Sequence, residues 1–331
     1  MLSNHTSDPI ESQLREEALY KPYQSLNAYL KKKYGEKIYK IALDGGFTCP
    51  NRDGTCGTRG CIFCSAGGSG EFATAIRQNS SIDAQITQAL ARFGNKQTGQ
   101  RFIAYFQAYT GTYAAPERLY ALYHMALSHP KIIGISIATR PDCLPAPVLD
   151  VIKQCQMEFP DKFVWIELGL QSVHEKTALY IRRGYPLSCF EDALETLQTM
   201  SVPVIVHVIL GLPGETRADM LATIDYLSHK NIFGIKLQLL HVLRGTDLAA
   251  EYERGVFSCL SKEAYIDLLC SCIDHLNPAI VLHRVTGDGP KDLLIAPIWS
   301  LQKRDVLNSL HKALKAGGHY QGKDFGNHRP L

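Results

Sequence analysis

The chain has little net charge: 35 lysines and arginines stand against 32 aspartates and glutamates, a formal +3. So small a surplus gives no whole-surface attraction for nucleic acid, and any basic footprint has to be local. Long apolar runs are lacking as well. No 18-residue stretch is continuously apolar and no apolar run follows a basic start at the N-terminus, so neither a spanning helix nor a secretory leader is expected. A soluble, cytoplasmic protein is the expectation. Ten cysteines are too sparse and too unevenly spread for a secreted disulfide scaffold, which leaves reduced thiols. There is no GxGxxG opening a helix after the first strand-like run, so a plain dinucleotide-binding fold does not fit. Internal repeats and low-complexity segments are also missing.

What is present is a rhythm. Short β-rich runs at 38–44, 102–108, 132–138, 163–169, 203–210 and 234–241 alternate with helical patterns near 82–93, 116–128, 145–156, 174–182, 190–200 and 217–229. Near-continuous apolar strands separated by amphipathic helices predict buried parallel strands joined by right-handed crossovers. Six such units fit a partial or complete α/β barrel, and reactive groups then belong at the C-terminal ends of the strands. Polar and glycine clusters do fall there: Asp44-Gly-Gly, Thr110-Gly-Thr, Thr139-Arg-Pro-Asp, Gln171-Ser and Gly211-Leu-Pro-Gly-Glu. The expected organisation is an N-terminal arm and short helix over 1–36, a (β/α)6 core over 37–245, and an extension over 246–331 packing on the barrel. The first 22 residues read as an irregular arm. In the extension, a helix is predicted near 261–276, a strand near 279–285 and an amphipathic helix over 299–316.

The chemistry concentrates in CPNRDGTCGTRGCIFCSAGGSGEF, residues 49–72, where four of the ten cysteines fall within sixteen residues. Cys61 and Cys64 make a C-x-x-C pair with Phe63 before the second cysteine; Cys49 lies further back and Cys56 falls between. Thiolates gathered in a glycine-rich loop after a strand point to a metal centre. On spacing alone two centres remain open. Four thiolates (Cys49, Cys56, Cys61, Cys64) would make a tetrahedral zinc site, and three would hold an iron–sulfur cluster. The other six cysteines, Cys143, Cys155, Cys189, Cys259, Cys270 and Cys272, are scattered and read mostly as small buried hydrophobes.

The spacing C-x11-C-x2-C of Cys49, Cys61 and Cys64 resembles the cluster loop of radical S-adenosylmethionine (SAM) enzymes, in the branch with a lengthened first gap related to the Elongator catalytic subunit. TRPDCL (139–144), IELGLQS (166–172), HVILGLPGE (207–215) and HRVTGDG (283–289) extend the resemblance to bacterial YhcC/YtqA-type proteins from about residue 20 to the end. This resemblance implies a partial (β/α)6 TIM-like barrel of the radical SAM type with a C-terminal extension. It also implies a [4Fe–4S] cluster on Cys49, Cys61 and Cys64 with one iron left open to SAM, reductive cleavage of SAM and a 5′-deoxyadenosyl radical. Cys56 is then a loop thiol, because a fourth protein ligand would close the iron that SAM must occupy.

The same resemblance places SAM contacts at Gln171, Arg183, His207, Ile209 and Gly211. Arg183 matches an arginine approaching the SAM carboxylate, which a guanidinium fork suits. Ile209 and Gly211 match an adenine-packing segment, with Gly211 also read as part of a tight turn. His207 departs from the acid that some relatives carry. Glu167 reads either as an acceptor for ribose hydroxyls or as a structural acid inside the barrel. Gln107, Tyr109 and Thr110 occupy the zone where many relatives have a glycine-glycine-glutamate stretch. Thr139, Arg140 and Asp142 fall at the rim, as substrate-facing groups or as a buried Arg140–Asp142 pair.

For substrate, the resemblance implies tRNA: conversion of 5-carboxymethylaminomethyl uridine at the wobble position to 5-aminomethyl uridine, with flavodoxin or ferredoxin as electron donor. Local support comes from Lys31, Lys32, Lys33, Lys37, Lys40, Arg52 and Arg59, then Lys303, Arg304, Lys312, Lys315 and Arg329, with Tyr109, Tyr113 or Phe72 available to stack a flipped base. Scattered lysines also read as an ordinary solvated face. Two alternatives stand beside this reading: a radical SAM enzyme for a small metabolite, and a zinc-stabilised RNA-binding module without catalysis.

Overall fold

The structure is a computed structural model that describes residues 22–68, 70, 81–93 and 99–326. The arm before residue 22, Phe72 and Arg329 lie outside the described residues.

Helix α1 (Leu26–Tyr34) is capped by Ser25, whose hydroxyl accepts from the Ala28 amide, and ends on Gly35 in the left-handed conformation. The alternation then begins: β1 (Tyr39–Leu43), α2 (Ile82–Phe93), β2 (Phe102–Phe106), α3 (Pro116–Ser128), β3 (Ile132–Thr139), α4 (Ala146–Glu158), β4 (Phe163–Gln171), α5 (Glu175–Tyr180), α6 (Leu187–Thr199), β5 (Val204–Leu210), α7 (Arg217–Ser228) and β6 (Gly234–Leu239). After it come β7 (Val242–Leu243), α8 (Asp247–Glu253), α9 (Lys262–His275), β8 (Val281–Arg284), β9 (Leu294–Ala296) and α10 (Lys303–Gly317). Among the described residues, no helix is long and apolar enough to cross a membrane.

One sheet runs β1-β2-β3-β4-β5-β6-β8, all parallel. Six strands were expected, and the seventh comes from the C-terminal extension. Its run falls outside the βα rhythm because β7, α8 and α9 separate it from β6. β7 and β9 pair antiparallel in a separate ribbon.

The sheet is curled. Neighbouring strands lie about 4.8 Å apart, so in a flat sheet β1 and β4 would be about 14 Å apart. Yet Lys40 Nζ on β1 lies 2.5 Å from Glu167 Oε1 on β4. β1 and β8 are the two edges of the sheet, and the barrel is open between them.

Side chains alternate between the two faces of a strand. Those pointing outward, such as Ile41, Phe106, Ile137, Leu168 and Val206, meet the helices in the main core. Those pointing inward form layers. Ile38, Ile103, Ile133, Trp165 and Ile205, at or before the first residues of their strands, close the bottom of the barrel with Leu30 of α1. Lys31, Lys32 and Lys33 are exposed on that helix. They therefore stand at the end of the barrel opposite the cysteine loop.

Candidate functional site

The loop after β1 is folded by its own side chains and backbone. The Arg52 amide donates to Cys49 O, the Gly60 amide to Asn51 O and the Cys64 amide to Cys61 O. Arg52 Nη2 donates to Cys64 O (2.8 Å) and Ser65 O (2.5 Å), so this arginine is spent inside the loop. Asn51 is buried and ties the loop to the turn after α5: its Nδ2 donates to Arg182 O (2.8 Å) and Arg183 O (3.2 Å) and reaches Cys61 Sγ at 3.5 Å. Gly184, at φ +85°, is where Asn51 lands, and a Cβ there would lie 2.6 Å from Asn51 Oδ1.

Cys49, Cys61 and Cys64 are all half-buried and line one cavity of about 250 Å³ over the C-terminal ends of the strands. Cys56 is exposed and does not line it. Among the described residues, no three His, Cys, Asp or Glu side chains converge as ligands of a single ion. The four-thiolate zinc arrangement is therefore not formed. A four-iron cube spreads its protein ligands wider than one tetrahedral ion does, so it calls for thiols around a shared cavity, as Cys49, Cys61 and Cys64 are.

Gln107, Glu167, Gln171, Arg183, His207 and Ile209 line the same cavity. Gly211 does not. Its φ of +89° makes a turn at the end of β5, and a Cβ there would press on Leu260 at 3.2 Å. Thr110, Thr139 and Arg140 are on the wall, but Arg140 is buried and bidentate to Asp142 (2.9 and 2.6 Å), with Nη1 on Arg183 O. The pair is structural. Tyr109 is used as loop support: its hydroxyl donates to Ala66 O, and a Cβ on Gly68 would strike its ring at 2.3 Å. Tyr113 hydrogen-bonds Thr55 at 2.9 Å, and Arg59 is exposed and paired with Asp247.

Gln171 has the least ordinary backbone at the site. Its φ is +68°, and the Ser172 amide donates to Leu170 O at 2.9 Å across it, closing a γ-turn where the β4/β5 register slips. Such a turn is strained for a residue with a side chain. Arg183 holds it in place. That guanidinium is 2% exposed, donates through Nη1 to Leu170 O (3.0 Å) and Ser172 O (2.7 Å), and through Nε to Tyr185 O (3.0 Å). Its Nη2 lies 3.4 Å from Glu175 Oε1. The fork expected to meet a SAM carboxylate is thus largely committed to backbone carbonyls on either side of Gln171. Gln171 Oε1, by contrast, is buried with no partner among the described residues.

Beneath these groups lies a charged layer that the sequence reading only partly identified. Glu167 is buried, with both carboxylate oxygens engaged. Oε1 accepts from Lys40 Nζ (2.5 Å) and Ser136 Oγ (2.5 Å), and Oε2 accepts from His207 Nε2 (2.6 Å) and Lys236 Nζ. Of its two sequence readings, the interior structural acid matches this geometry. Burial would raise its pKa, but Lys236, Lys40 and His207 outweigh burial and hold it well below the usual carboxylate range. A carboxylate only accepts, so His207 carries its proton on Nε2 and accepts at Nδ1 from Gln238 (3.2 Å). Burial, with Lys236 beside it, pushes the His207 pKa down to about 4.

Lys236 is nearly buried and also donates to Tyr105 Oη at 3.0 Å. Burial lowers its pKa to about 7, with Glu167 pulling the other way. Lys40, grouped by sequence with the N-terminal lysines as a basic footprint for RNA, is turned into the barrel; burial, partly offset by Glu167, lowers its pKa too. The signal for this layer was present in the sequence: one ionisable residue interrupts the apolar run at Lys40, Glu167, His207 and Lys236.

The Radical SAM superfamily profile matches residues 54–227, and the Radical_SAM C-terminal domain profile matches 232–316. YtqA of Bacillus subtilis is 42% identical over 305 residues, covering 92% of this chain and 93% of that protein. YhcC of Escherichia coli is 36% identical over 297 residues, covering 90% and 93%. The structure of Methanocaldococcus infernus Elp3 with an N-terminal deletion superimposes with a TM-score of 0.63 at 14% identity, over 86% of this chain and 64% of that one. At that identity the likeness is one of fold.

Proposed function

The chain belongs to the radical SAM superfamily, whose members use a [4Fe–4S] cluster and SAM, and we propose that Cys49, Cys61 and Cys64 hold the cluster and that SAM lies beside them in the same cavity. The observation that carries this reading is that those three thiols and Gln171, whose Oε1 has no partner among the described residues, line one cavity. When bound, the two cofactors supply one-electron cleavage of SAM and hence hydrogen-atom abstraction. This chain's residues supply the rest. Gln171 accepts from a donor group of SAM, with Arg183 fixing its turn. Gln107 and Ile209 offer a polar and an apolar wall. Asn51 and Arg52 hold the loop closed around the thiols.

The substrate we propose is the wobble uridine of tRNA carrying a 5-carboxymethylaminomethyl group, with loss of the carboxymethyl fragment to leave 5-aminomethyl uridine. Resemblance to the YhcC/YtqA-type branch supports it, and so do Lys236 and Arg284 on the cavity wall, which suit an acidic side chain. The electron donor is proposed to be a flavodoxin or ferredoxin. Anaerobic reconstitution with iron and sulfide tests the chemistry: a brown chromophore and release of 5′-deoxyadenosine on reduction are expected, and a colourless protein that leaves SAM intact would defeat it. Nucleoside analysis of tRNA from a deletion strain tests the substrate. Accumulation of the carboxymethylaminomethyl form is expected, and an unchanged wobble-uridine profile would rule the tRNA reading out.

A further inference from the structure

A second cavity, of about 520 Å³, opens in the gap between edge strands β1 and β8. Its wall includes Lys40 and Ala42 of β1, His283 and Arg284 of β8, and Lys291 and Lys303 beyond them. Tyr105, Gln107, Lys236, Arg284 and Asp288 line this cavity and the first one alike. The gap therefore leads from solvent into the charged layer beneath the cysteine loop.

The charge there is not balanced. Glu167 is shared by two lysines, Lys40 and Lys236. Asp288 is taken at 2.7 Å by Lys303 and lies 3.9 Å from Arg284. Arg284 has no other ionic partner among the described residues, and it lines both cavities. Lys236 carries three donor hydrogens, of which Glu167 and Tyr105 take two. Two inward lysines, Lys40 and Lys236, share the single buried carboxylate of Glu167; such an uncompensated charge is costly, and an anion from solvent would offset it. A guanidinium fork beside an ammonium is also the geometry that grips a carboxylate.

We propose that Lys236 and Arg284, which face the opening between β1 and β8, form a subsite for a carboxylate of the substrate. The position agrees with the chemistry. Gln238 is the next inward residue after Lys236 on β6, and a two-residue step along a strand is about 7 Å. Gln238 and Ile209 both line the upper cavity. A carboxylate held at Lys236 therefore lies about one such step below the level of Gln238 and Ile209, on the side of the cavity away from the cysteine loop. The identity of the anion rests on the substrate reading above, in which the reacting group is a carboxymethyl.

Two probes separate the subsite from that reading. N-methylglycine, the amino-acid fragment of the modified side chain, is titrated with the cluster-reconstituted full chain while its carboxyl ¹³C line is recorded. Broadening is expected with the unsubstituted chain and with Lys236→Arg, and its loss with Arg284→Gln and Lys236→Met. A sharp line with the unsubstituted chain overturns the subsite, and so does broadening that survives both variants. Inorganic phosphate is the competitor: displacement only at large excess supports a carboxylate site, and equal competition overturns that assignment. The second probe is a synthetic anticodon stem–loop bearing either the carboxymethylaminomethyl or the aminomethyl group. At least about tenfold tighter binding of the acidic form is expected, falling to within about twofold in Arg284→Gln. A preference that persists in that variant refutes the subsite. Fragment binding without binding of either RNA leaves the subsite standing and removes the tRNA reading.

Discussion

Replacing Gln171 by glycine should separate stability from function. Gln171 holds φ at +68° in a γ-turn, a conformation that costs a residue with a side chain about 1–3 kcal/mol and costs glycine almost nothing. Its buried Oε1 has no partner among the described residues, and removing such an orphan recovers about 1–3 kcal/mol of desolvation. Against these gains stand about 0.5–1 kcal/mol for the extra backbone freedom of glycine and about 1 kcal/mol for methylene packing of a half-buried side chain. Taken at the middle of each range, the balance is a gain of about 2 kcal/mol. For a chain of 331 residues that raises the melting temperature by about 3 °C. Urea unfolding of the cluster-free protein measures it, and equilibrium dialysis of SAM against the cluster-loaded protein measures the cost to function, expected to be at least about tenfold in affinity. Two outcomes would refute the reasoning: destabilisation beyond about 1 kcal/mol, or SAM affinity unchanged in Gln171→Gly.

Alanine at Cys49, Cys61 or Cys64 should abolish the iron–sulfur chromophore after reconstitution, whereas Cys56→Ala should keep it; iron and sulfide assays distinguish the two patterns. Gly184→Ala should cost about 2–4 kcal/mol and lower cluster occupancy, because its Cβ meets Asn51 Oδ1 at 2.6 Å and φ is +85°; normal occupancy would show that the Asn51 latch is dispensable. Acid should weaken the fold through His207, which faces Glu167, Lys236 and Gln238, and through His241, both pushed down to about 4 mainly by burial. Between the unfolded value of about 6.5 and those folded values the unfolded chain binds more protons, so stability is full above about pH 6.5 and falls towards pH 4, by up to about 3 kcal/mol per histidine. Urea midpoints taken across that range should drop with acidification, and less steeply in His207→Gln.

The strand rhythm was legible because strands buried on both faces have to be apolar along their length, and all six runs from 38–44 to 234–241 became strands within a few residues. The three cysteines stood out because C-x-x-C in a glycine-rich loop has few other uses. Lys40 was misread for a physical reason. Lys31, Lys32, Lys33 and Lys40 look alike in a charge count, but Lys40 sits on the inward face of a strand and the other three on a solvated helix. Arg183 was located and its employment was not. Whether a guanidinium meets a ligand or three backbone carbonyls depends on where residues 170, 172 and 185 arrive, which no local pattern encodes. The seventh strand was placed in the extension, because sequence adjacency says nothing about which edge a late strand will join.

The two faces of the sheet divide the labour. Outside, apolar side chains and helices carry the fold, and the charged layer inside adds cost unless every charge is met. Glu167 is the residue on which that balance turns, since Lys40 and Lys236 both point at it. Glu167→Gln should therefore destabilise by about 3–5 kcal/mol, the usual penalty for stranding a buried charge, even though it changes shape very little. Adding Lys236→Met to that variant removes one of the stranded charges, so the double variant should be more stable than Glu167→Gln alone by at least about 1 kcal/mol. Urea unfolding of the four corners of this cycle decides it. Additive losses would mean that the two side chains do not share one electrostatic account, and the charged layer would then have to be held by packing instead.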